Sequence, residues 1–341
     1  MGHVRFDRAG AHAVSKRSWR HQFAIGCGFL LSALFLWLAL RKVDWRDLGA
    51  AFASINYFPV LGCVGALSLS IVLRAVRWRV IAQSPASEHR NFLRATNLGL
   101  LTNLLFPARA GEVIRVVTLA RLLHSSFPRP LASALIDRLV DVFVLIVSAS
   151  VLFWFLPIAT FLDKWFTIFL IVAGIAVVLI ILFARNSGWG EALGARLAKR
   201  WLRRWSVQPE IFLAELRLEF RRMLGGWLSV KLVVLAALVL CADYGAILTL
   251  LLAFGLLLPL EAPLLLWVFL SAGSALPSAP GYVGVYQVAT IWALSLFSVS
   301  ASMSVAIATV LQVATLVVAL IIAGPGALSI FKRMLFVRNP T

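Results

Sequence analysis

The chain has 341 residues, of which 61% are hydrophobic and only 13% are charged, yet its formal net charge is +18. Soluble domains average about 45–50% apolar and about 25% charged residues, so this composition excludes an ordinary soluble enzyme and a disordered chain. Nucleic acid, anionic lipid and membrane topology remain as explanations of the net charge, and the positions of the charges decide among them.

Apolar runs of the length that a bilayer requires recur along the chain. A helix needs about 20 apolar residues to cross the hydrocarbon core. The candidate helices are, in chain order, 22–40, 57–73, 131–156, 164–184, 228–257 and 304–328. Two further apolar regions, 95–123 and 263–299, are interrupted in the middle. The first run is long enough to span and no cleavage site of small residues follows it, so we expect a retained helix.

The basic residues are concentrated in a few stretches, and positive charge marks the cytoplasmic side of a membrane protein. We therefore expect both termini, the stretch 74–94 and the central loop to be cytoplasmic. Membrane topology then explains the net charge, and no nucleic-acid partner is expected. The predicted organisation is a basic N-terminus (1–21), a first transmembrane half (22–184), an amphipathic basic loop (185–227), a second transmembrane half (228–330) and a cytoplasmic tail (331–341).

The central loop alternates apolar and basic residues at helical spacing. Apolar residues recur every four positions from Leu193 to Trp205, and 210–224 has a similar pattern. Such amphipathic helices lie in the headgroup layer with their basic face toward water. The loop either recruits anionic lipid or serves only as a topological anchor.

The two interrupted regions share a Pro-x-x-x-Gly break half a chain apart. Pro107 and Gly111 precede Pro277 and Gly281 by 170 residues. Proline removes a helical hydrogen bond and glycine permits left-handed backbone, so each region is predicted to be two half-helices joined by an unwound turn. Matched breaks in two halves are typical of transporters built from structural repeats, although two such breaks can also coincide by chance.

The charge distribution constrains how these regions cross the bilayer. Because 74–94 and the start of the helix at 131 are both assigned to the cytoplasm, 95–123 is predicted to be a re-entrant hairpin. Residues 263–299 either span twice or form a second hairpin from the opposite face. The predicted fold is an all-α polytopic transmembrane bundle with seven or eight passes, one or two re-entrant hairpins and an internal repeat.

Ionisable residues at membrane depth are the candidate functional residues, because each costs about 2.5–3.5 kcal/mol on insertion scales. Arg109 and Glu112 flank the first break, and Arg115 follows. Glu112 is within reach of either arginine. The group either binds the phosphate of a lipid headgroup or forms a salt bridge that holds the hairpin turn.

A second set of charges is expected to form a buried network. Asp137 and Asp141 share one helix face and repel each other unless a cation lies between them. That cation is either Arg138 or an arginine of 74–79. Asp243 is isolated in an apolar run and needs a partner, for which the arginines of the first hairpin are candidates. The predicted network contains Arg74, Arg77, Asp137, Arg138, Asp141 and Asp243.

Several kinds of chemistry have no motif in this sequence. The histidines and cysteines have no metal-ligand spacing, so no metal or cofactor is expected. There is neither a nucleotide-binding GxxxxGK[ST] loop nor a GxSxG elbow. An enzyme acting on polyprenyl phosphate requires Asp137 and Asp141 to be a water-accessible acid pair.

Four motifs together resemble one family. They are RAxRW from Arg74, NxxFPARAGExxR from Asn103, DRxxD from Asp137 and PxxPGYxGxYQ from Pro277. Over about residues 20–330 the chain is similar to the transmembrane domain of lysylphosphatidylglycerol synthase. This domain defines a family of flippase-like membrane proteins of bacteria and archaea. Many members end the last motif in glutamate, whereas this chain has Gln287, at which hydrogen bonding to a headgroup is expected.

The resemblance implies a lipid flippase or transporter in a bacterial or archaeal cytoplasmic membrane. The soluble aminoacyltransferase domain of the synthases is not expected here, so no enzymatic activity is expected. The expected ligand is an anionic phospholipid, a polyprenyl lipid or a glycolipid. The alternative is a non-transporting accessory protein for a membrane glycosyltransferase or lipid-modifying enzyme. The expected headgroup-binding residues are Asn103, Arg109, Glu112, Arg115, Ser278, Tyr282 and Gln287.

Overall fold

The computed structural model describes residues 26, 28–106, 110–155, 209–223, 226–276 and 278–336, and within these ranges the regular structure is helical. The predictions for the N-terminus, for the helix 164–184 and for most of the basic loop fall outside these residues, as do Pro107, Arg109 and Pro277. The helices are α1 (Gly28–Leu40), α2 (Trp45–Ala53), α3 (Tyr57–Ile81), α4 (His89–Leu105), α5 (Ala110–Leu122), α6 (Pro128–Phe155), α7 (Pro209–Met223), α8 (Gly226–Ala253), α9 (Glu261–Gly273), α10 (Val285–Ser295) and α11 (Ala301–Phe336).

Three of the described helices are long and apolar enough to cross a membrane. They are α3, α8 and the Ala301–Gly324 part of α11, which is kinked at Gly324. Helices α3 and α8 pack against each other in antiparallel directions. The amide of Asn56 donates to the carbonyl of Ala253 at one end, and Ile81 packs with Leu232 at the other. This pair makes the most extensive helix–helix contact of the described residues.

Helix α3 is longer than the sequence pattern predicts. The apolar run ends at residue 73, but the helix continues through Arg74 and Arg77 to Ile81. Its start is set by Asn56, whose side chain accepts from the amide of Phe58 at 3.0 Å. The helix continues past the apolar run because carboxylates on α6 and α8 neutralise its arginines. The helix therefore ends eight residues after the predicted apolar run 57–73.

The connection after α1 contains a helix that the hydropathy pattern does not predict. Helix α2 begins after Asp44, whose carboxylate accepts from the amides of Arg46 and Asp47 at 2.8 and 3.3 Å. This is the usual arrangement of an N-cap aspartate. The amide of Asp44 also donates to the hydroxyl of Ser302, which attaches α2 to the start of α11.

Both interrupted regions are broken close to where the sequence predicts. Helices α4 and α5 have 17 and 13 residues, and α9 and α10 have 13 and 11 residues. At 1.5 Å per residue they are about 17–26 Å long, less than a hydrocarbon core of about 30 Å. Between α9 and α10, Gly281 and Gly284 have φ angles of 68° and 86°. Glycine adopts this left-handed backbone easily, whereas a residue with a side chain would be strained there.

The first pair of half-helices approaches closely because both members carry glycine at the contact. The amide of Gly111 donates to the Oδ1 atom of Asn103 at 2.9 Å. A Cβ atom on Gly111 would overlap the carbonyl oxygen of Gly99. A Cβ on Gly99 would lie 2.9 Å from the Cβ of Arg115. The chain therefore returns along itself at this point, and the contact fixes where Arg115 lies.

Helix α7, within the predicted amphipathic loop, packs on α6. Phe212 lies against Ala132, and Phe220 joins a cluster with Ile136 and Leu232. Glu219 is on the same buried side, and 1% of its side chain is exposed. Neither of its carboxylate oxygens has a hydrogen-bond partner among the described residues, although Arg222 Nη1 lies 3.5 Å from its Oε1 as an ion pair. A buried carboxylate without hydrogen bonds opposes the docking of α7 when it is ionised.

The docking of α7 is therefore expected to depend on pH. Burial is the main cause that raises the pKa of Glu219, and Glu215 raises it further, whereas Arg222 and Arg129 oppose the shift. A carboxyl whose pKa is higher in the docked state favours docking at low pH, and this contribution is lost as the pH rises through the docked pKa. We expect amide-exchange protection of α7, corrected for intrinsic rates, to be lower at about pH 8 than at about pH 5, because burial raises the pKa of Glu219 above the ordinary glutamate value of about 4.3. Glu219→Gln should remove this dependence.

Glu215→Gln is the matched control, because it removes a neighbouring carboxylate of α7 that is less buried. It should keep most of the pH dependence of the wild-type protein. Equal protection of wild-type α7 at both pH values would contradict the prediction.

Candidate functional site

Eight charged side chains from four helices form one continuous ion-pair network. Four are arginines and four are acids, so their formal charges cancel. Arg74 and Arg77 come from α3, two members come from α5, three from α6 and one from α8. The members are Arg74, Arg77, Glu112, Arg115, Asp137, Arg138, Asp141 and Asp243.

Arg77 is the cation between the two aspartates of α6. Its Nη2 atom lies 2.8 Å from Asp137 Oδ1 and 2.6 Å from Asp141 Oδ1, and 1% of its side chain is exposed. The other oxygen of Asp137 accepts from Arg115 Nη1 at 3.2 Å. Asp137 is thus held by two arginines, and all three side chains are almost completely buried. Such pairs are retained only when each charge has hydrogen-bonded partners.

Asp243 is bound by α3 rather than by the hairpin that contains Arg115. Arg74 Nη2 lies 2.7 Å from Asp243 Oδ2, and the indole nitrogen of Trp267 donates to the same oxygen at 3.1 Å. The hydroxyl of Ser70 donates to the other oxygen. The expectation that an arginine of the first hairpin is its partner is wrong, because the antiparallel packing of α3 and α8 places Arg74 directly opposite.

The network has an open edge formed by Glu112 and Arg138. Their side chains are 39% and 42% exposed, compared with 3% for Asp137. Glu112 Oε2 lies 3.0 Å from Arg115 Nε and 3.2 Å from Arg138 Nε. Arg138 Nη1 also donates to Asp141 Oδ2 at 2.9 Å. The charges therefore run from a buried centre to a side that a polar ligand can reach.

The network members on α3 and α6 lie well inside their helices rather than at the ends. Arg74 is seven residues before the end of α3 at Ile81, which corresponds to about 10 Å along the axis. Asp141 is thirteen residues after the start of α6 at Pro128, or about 20 Å. Unpaired charges inside a membrane helix are costly, which explains why Asp137 and Asp141 are each paired with arginines.

An aromatic pair supports the buried end of the network. The guanidinium of Arg115 lies 4.9 Å above the ring of Trp78, whose indole nitrogen donates to Ser133 Oγ at 3.0 Å. Phe92 contacts Trp78 edge to face, with 5.3 Å between ring centroids. These contacts fix the orientation of Arg115 toward Asp137. Trp78 is recognisable in the sequence only as part of the RAxRW motif.

The second break is held by two glutamines. Gln287 Oε1 accepts from the amide of Gly284 at 2.7 Å, and its Nε2 donates to Gln312 Oε1 at 2.8 Å. Gln312 Nε2 in turn donates to the carbonyl of Gly281 at 2.7 Å. The unwound turn is thereby attached to α11. Gln312 has no local motif, so sequence reasoning missed it.

The other predicted residues of this turn have separate environments. Ser278 is buried, and Tyr282 stacks on Tyr286 with ring centroids 5.1 Å apart. The amide of Ala279 donates to Ser32 Oγ at 2.6 Å, which connects the turn to α1. The turn is therefore enclosed by helices from both ends of the chain.

The predicted headgroup residues fall into two groups. Glu112 and Arg115 belong to the charge network, whereas Ser278 and Gln287 belong to the uncharged turn. The hydrogen bonds of Arg115 lead to Asp137 and Ala134 of α6, whereas those of Gln287 lead to Gly284 of the turn and Gln312 of α11. The breaks are nevertheless in contact, because a Cβ atom added to Gly281 would lie 3.5 Å from the carbonyl oxygen of Leu104. Asn103 stays with the first group through its bond to Gly111.

The network does not resemble a metal centre. Its acids are each engaged by arginine, and the described part of the chain contains no cluster of three or more His, Cys, Asp or Glu side chains suited to a metal ion. The arrangement suits the binding of an anion at its open edge, because guanidinium groups bind phosphate and carboxylate oxygens in a fixed geometry.

Comparisons with known proteins agree with the four motifs and the apolar helices. The family model described as the lysylphosphatidylglycerol synthase TM region matches residues 25–323, which include the charge network and both breaks. No curated protein and no solved structure matches the chain. The chain belongs to the lysylphosphatidylglycerol synthase TM-region family and is a multi-pass integral membrane protein.

Proposed function

We propose that the protein moves an anionic or modified lipid between the two leaflets of the membrane. The headgroup passes along the polar interior while the acyl chains stay in the bilayer. The observation that carries this proposal is the neutral, eight-charge network at membrane depth with an open edge at Glu112 and Arg138. A purely structural bundle gains little from so many charges, because well-packed apolar residues are often at least as stabilising as buried ion pairs.

The order of the helices supports a transporter built from two repeats. A long helix, two short helices and a second long helix follow one another in α3, α4, α5 and α6. The same order of lengths recurs in α8, α9, α10 and α11. Each helix of the second set begins 169–175 residues after its counterpart. This agrees with the 170-residue spacing of the two Pro-x-x-x-Gly breaks. Repeats with broken helices near the substrate site are a recurrent transporter design.

The half-helices support a re-entrant arrangement for both interrupted regions. Each pair turns back on itself, and neither α9 nor α10 is long enough to cross the hydrocarbon core. In this arrangement α5 and α10 begin within the membrane, where the positive ends of their helix dipoles attract a phosphate group. We place both chain termini in the cytoplasm, since the basic residues cluster there.

Transport rather than catalysis is the function that the aspartates of α6 favour. Both oxygens of Asp137 and Asp141 accept from arginines. An acid pair that transfers protons to a substrate needs a carboxylate free to approach it. We therefore propose no enzymatic role for these two residues.

Reconstitution into liposomes tests the proposal directly. Wild-type protein should make inner-leaflet fluorescent anionic lipid accessible to dithionite faster than empty liposomes do. Arg138→Gln should slow this rate about tenfold, because one charge-assisted hydrogen bond contributes about 1.5–3 kcal/mol. Arg46→Gln, on the exposed surface of α2, is the matched control and should behave as wild type.

Wild-type rates no higher than those of empty liposomes, across phosphatidylglycerol, cardiolipin and phosphatidic acid probes, would overturn the transport proposal. A stable complex with a lipid-modifying enzyme under the same conditions would then favour the accessory role.

A further inference from the structure

We propose that Glu112 is a built-in competitor that occupies a lipid-phosphate site in the resting protein. The site consists of the Nε edges of Arg115 and Arg138, and its ligand is the phosphodiester of a phospholipid headgroup. This inference deepens the proposed function and rests on it for the source of the ligand. It concerns binding, which is measured without transport.

The contact of Glu112 with the two arginines is an incomplete one. A single carboxylate oxygen lies 3.0 Å from Arg115 Nε and 3.2 Å from Arg138 Nε. Neither Nε–H group makes a hydrogen bond among the described residues, although both nitrogens are shielded from solvent. The side chain of Arg115 is only 3% exposed. Since buried donors in native proteins almost always have an acceptor, these two donors indicate an acceptor better placed than Glu112.

The arginines remain in place when Glu112 leaves. Arg115 is held by Asp137 through Nη1, by the carbonyl of Ala134 through Nη2 and by the face of Trp78. Arg138 is held by Asp141 through Nη1 at 2.9 Å. Both guanidinium groups therefore keep their orientation through contacts that do not involve Glu112. The anion site is preorganised and does not have to be built by the ligand.

Glu112 is the member of the network that is free to move. It lies in the first turn of α5, directly after the break, and its side chain is 39% exposed. Asp137 and Asp141, by contrast, are held from two or more sides on α6. Rotation of the Glu112 side chain toward the open edge uncovers both Nε–H groups.

A phosphodiester is the ligand class that this geometry fits. It carries one negative charge, as the Glu112 carboxylate does, and therefore replaces Glu112 at the arginines charge for charge. Its two free oxygens accept from two separate N–H groups, whereas in Glu112 one oxygen faces both donors. The headgroup enters at the open edge, where Glu112 and Arg138 are exposed, while the acyl chains remain outside.

The test is a binding measurement on the full chain in detergent, with short-chain phosphatidylglycerol as the probe. Glu112→Gln should lower the Kd about tenfold, because it removes the competing charge and keeps the side-chain size. Arg138→Gln should raise the Kd by a similar factor. Asp47→Asn, on the exposed surface of α2, is the matched control and should not change it. Glu112→Asp, whose shorter side chain withdraws the carboxylate, should lower the Kd to a smaller degree if Glu112→Gln does not fold.

If Glu112 only forms a structural salt bridge, Glu112→Gln should weaken the binding of phosphatidylglycerol instead of strengthening it. If Glu112→Gln binds phosphatidylglycerol as weakly as wild type or more weakly, and Glu112→Asp does the same, the proposal is overturned. An equal gain for soluble glycerol 3-phosphate would overturn the assignment to a lipid. If Glu112→Gln binds more tightly but wild-type protein does not translocate lipid in liposomes, the transport function is overturned and the competitor role of Glu112 stands. If wild-type protein translocates lipid but Glu112→Gln does not bind more tightly, the competitor role is overturned and the transport function stands.

Discussion

Replacing Asp137 by asparagine should destabilise the folded protein by about 3–5 kcal/mol, the usual cost of removing one partner from a buried ion pair. Arg77 and Arg115 both depend on this carboxylate, and their side chains are 1% and 3% exposed. Asparagine keeps the size of the side chain but removes the charge. The two buried arginines then lose the negative charge that both of them contact. The measurement is the thermal unfolding midpoint of the purified protein in detergent.

Asp47→Asn provides the matched control, because it makes the same chemical change on the exposed surface of α2. Its unfolding midpoint should lie close to that of wild type, since surface substitutions usually change stability by less than about 0.5 kcal/mol. Equal midpoints for Asp137→Asn and Asp47→Asn would show that the network carries no stability.

Substitution of Gly111 by alanine should open the first hairpin. The new methyl group would overlap the carbonyl oxygen of Gly99 and lie 2.5 Å from Asn103 Oδ1. The Asn103 side chain can turn away, but the Gly99 oxygen belongs to the backbone of α4, so α4 and α5 must separate. We expect a cost at the upper end of the about 1–3 kcal/mol of overpacking, or more. The lost contact also displaces Arg115, so the unfolding midpoint and the lipid affinity should fall together.

Gly245→Ala is the control for this change. It lies in helix α8, and no atom lies within 4 Å of the added methyl group. Alanine is the better helix former by about 1 kcal/mol, so this variant should be at least as stable as wild type. A Gly111→Ala protein that unfolds at the wild-type temperature would disprove the close approach of the two half-helices.

The long apolar helices follow from the sequence because bilayer thickness dictates their length. Helices α3, α8 and α11 begin within a few residues of the predicted runs. The two breaks were also predictable, since proline and glycine act locally on the backbone. The extension of α3 beyond residue 73 was not predictable from hydropathy. A hydropathy window records the cost of Arg74 and Arg77 but not the carboxylates that neutralise them.

The partners within the candidate site depend on packing that no local pattern contains. Asp243 was expected to meet the first hairpin, but the antiparallel contact of α3 with α8 gives it Arg74. Gln312 is a single amide in an apolar helix, and only the structure connects it to Gln287. Helix α2 is a different case. Its capping aspartate, Asp44, was a readable local signal that hydropathy alone does not use.

The neutrality of the charge network has a consequence for how ionic strength affects the protein. The network members sum to zero, so the whole of the +18 net charge resides on the other residues. Fields from exposed charges are screened within about 8 Å at physiological ionic strength, whereas contacts of 2.6–3.2 Å in a water-poor interior are screened far less. Added salt should therefore weaken the attraction of the basic surfaces for anionic membranes and leave the interior network almost unchanged. Under the proposed function, the binding of a headgroup inside the bundle should therefore depend little on ionic strength.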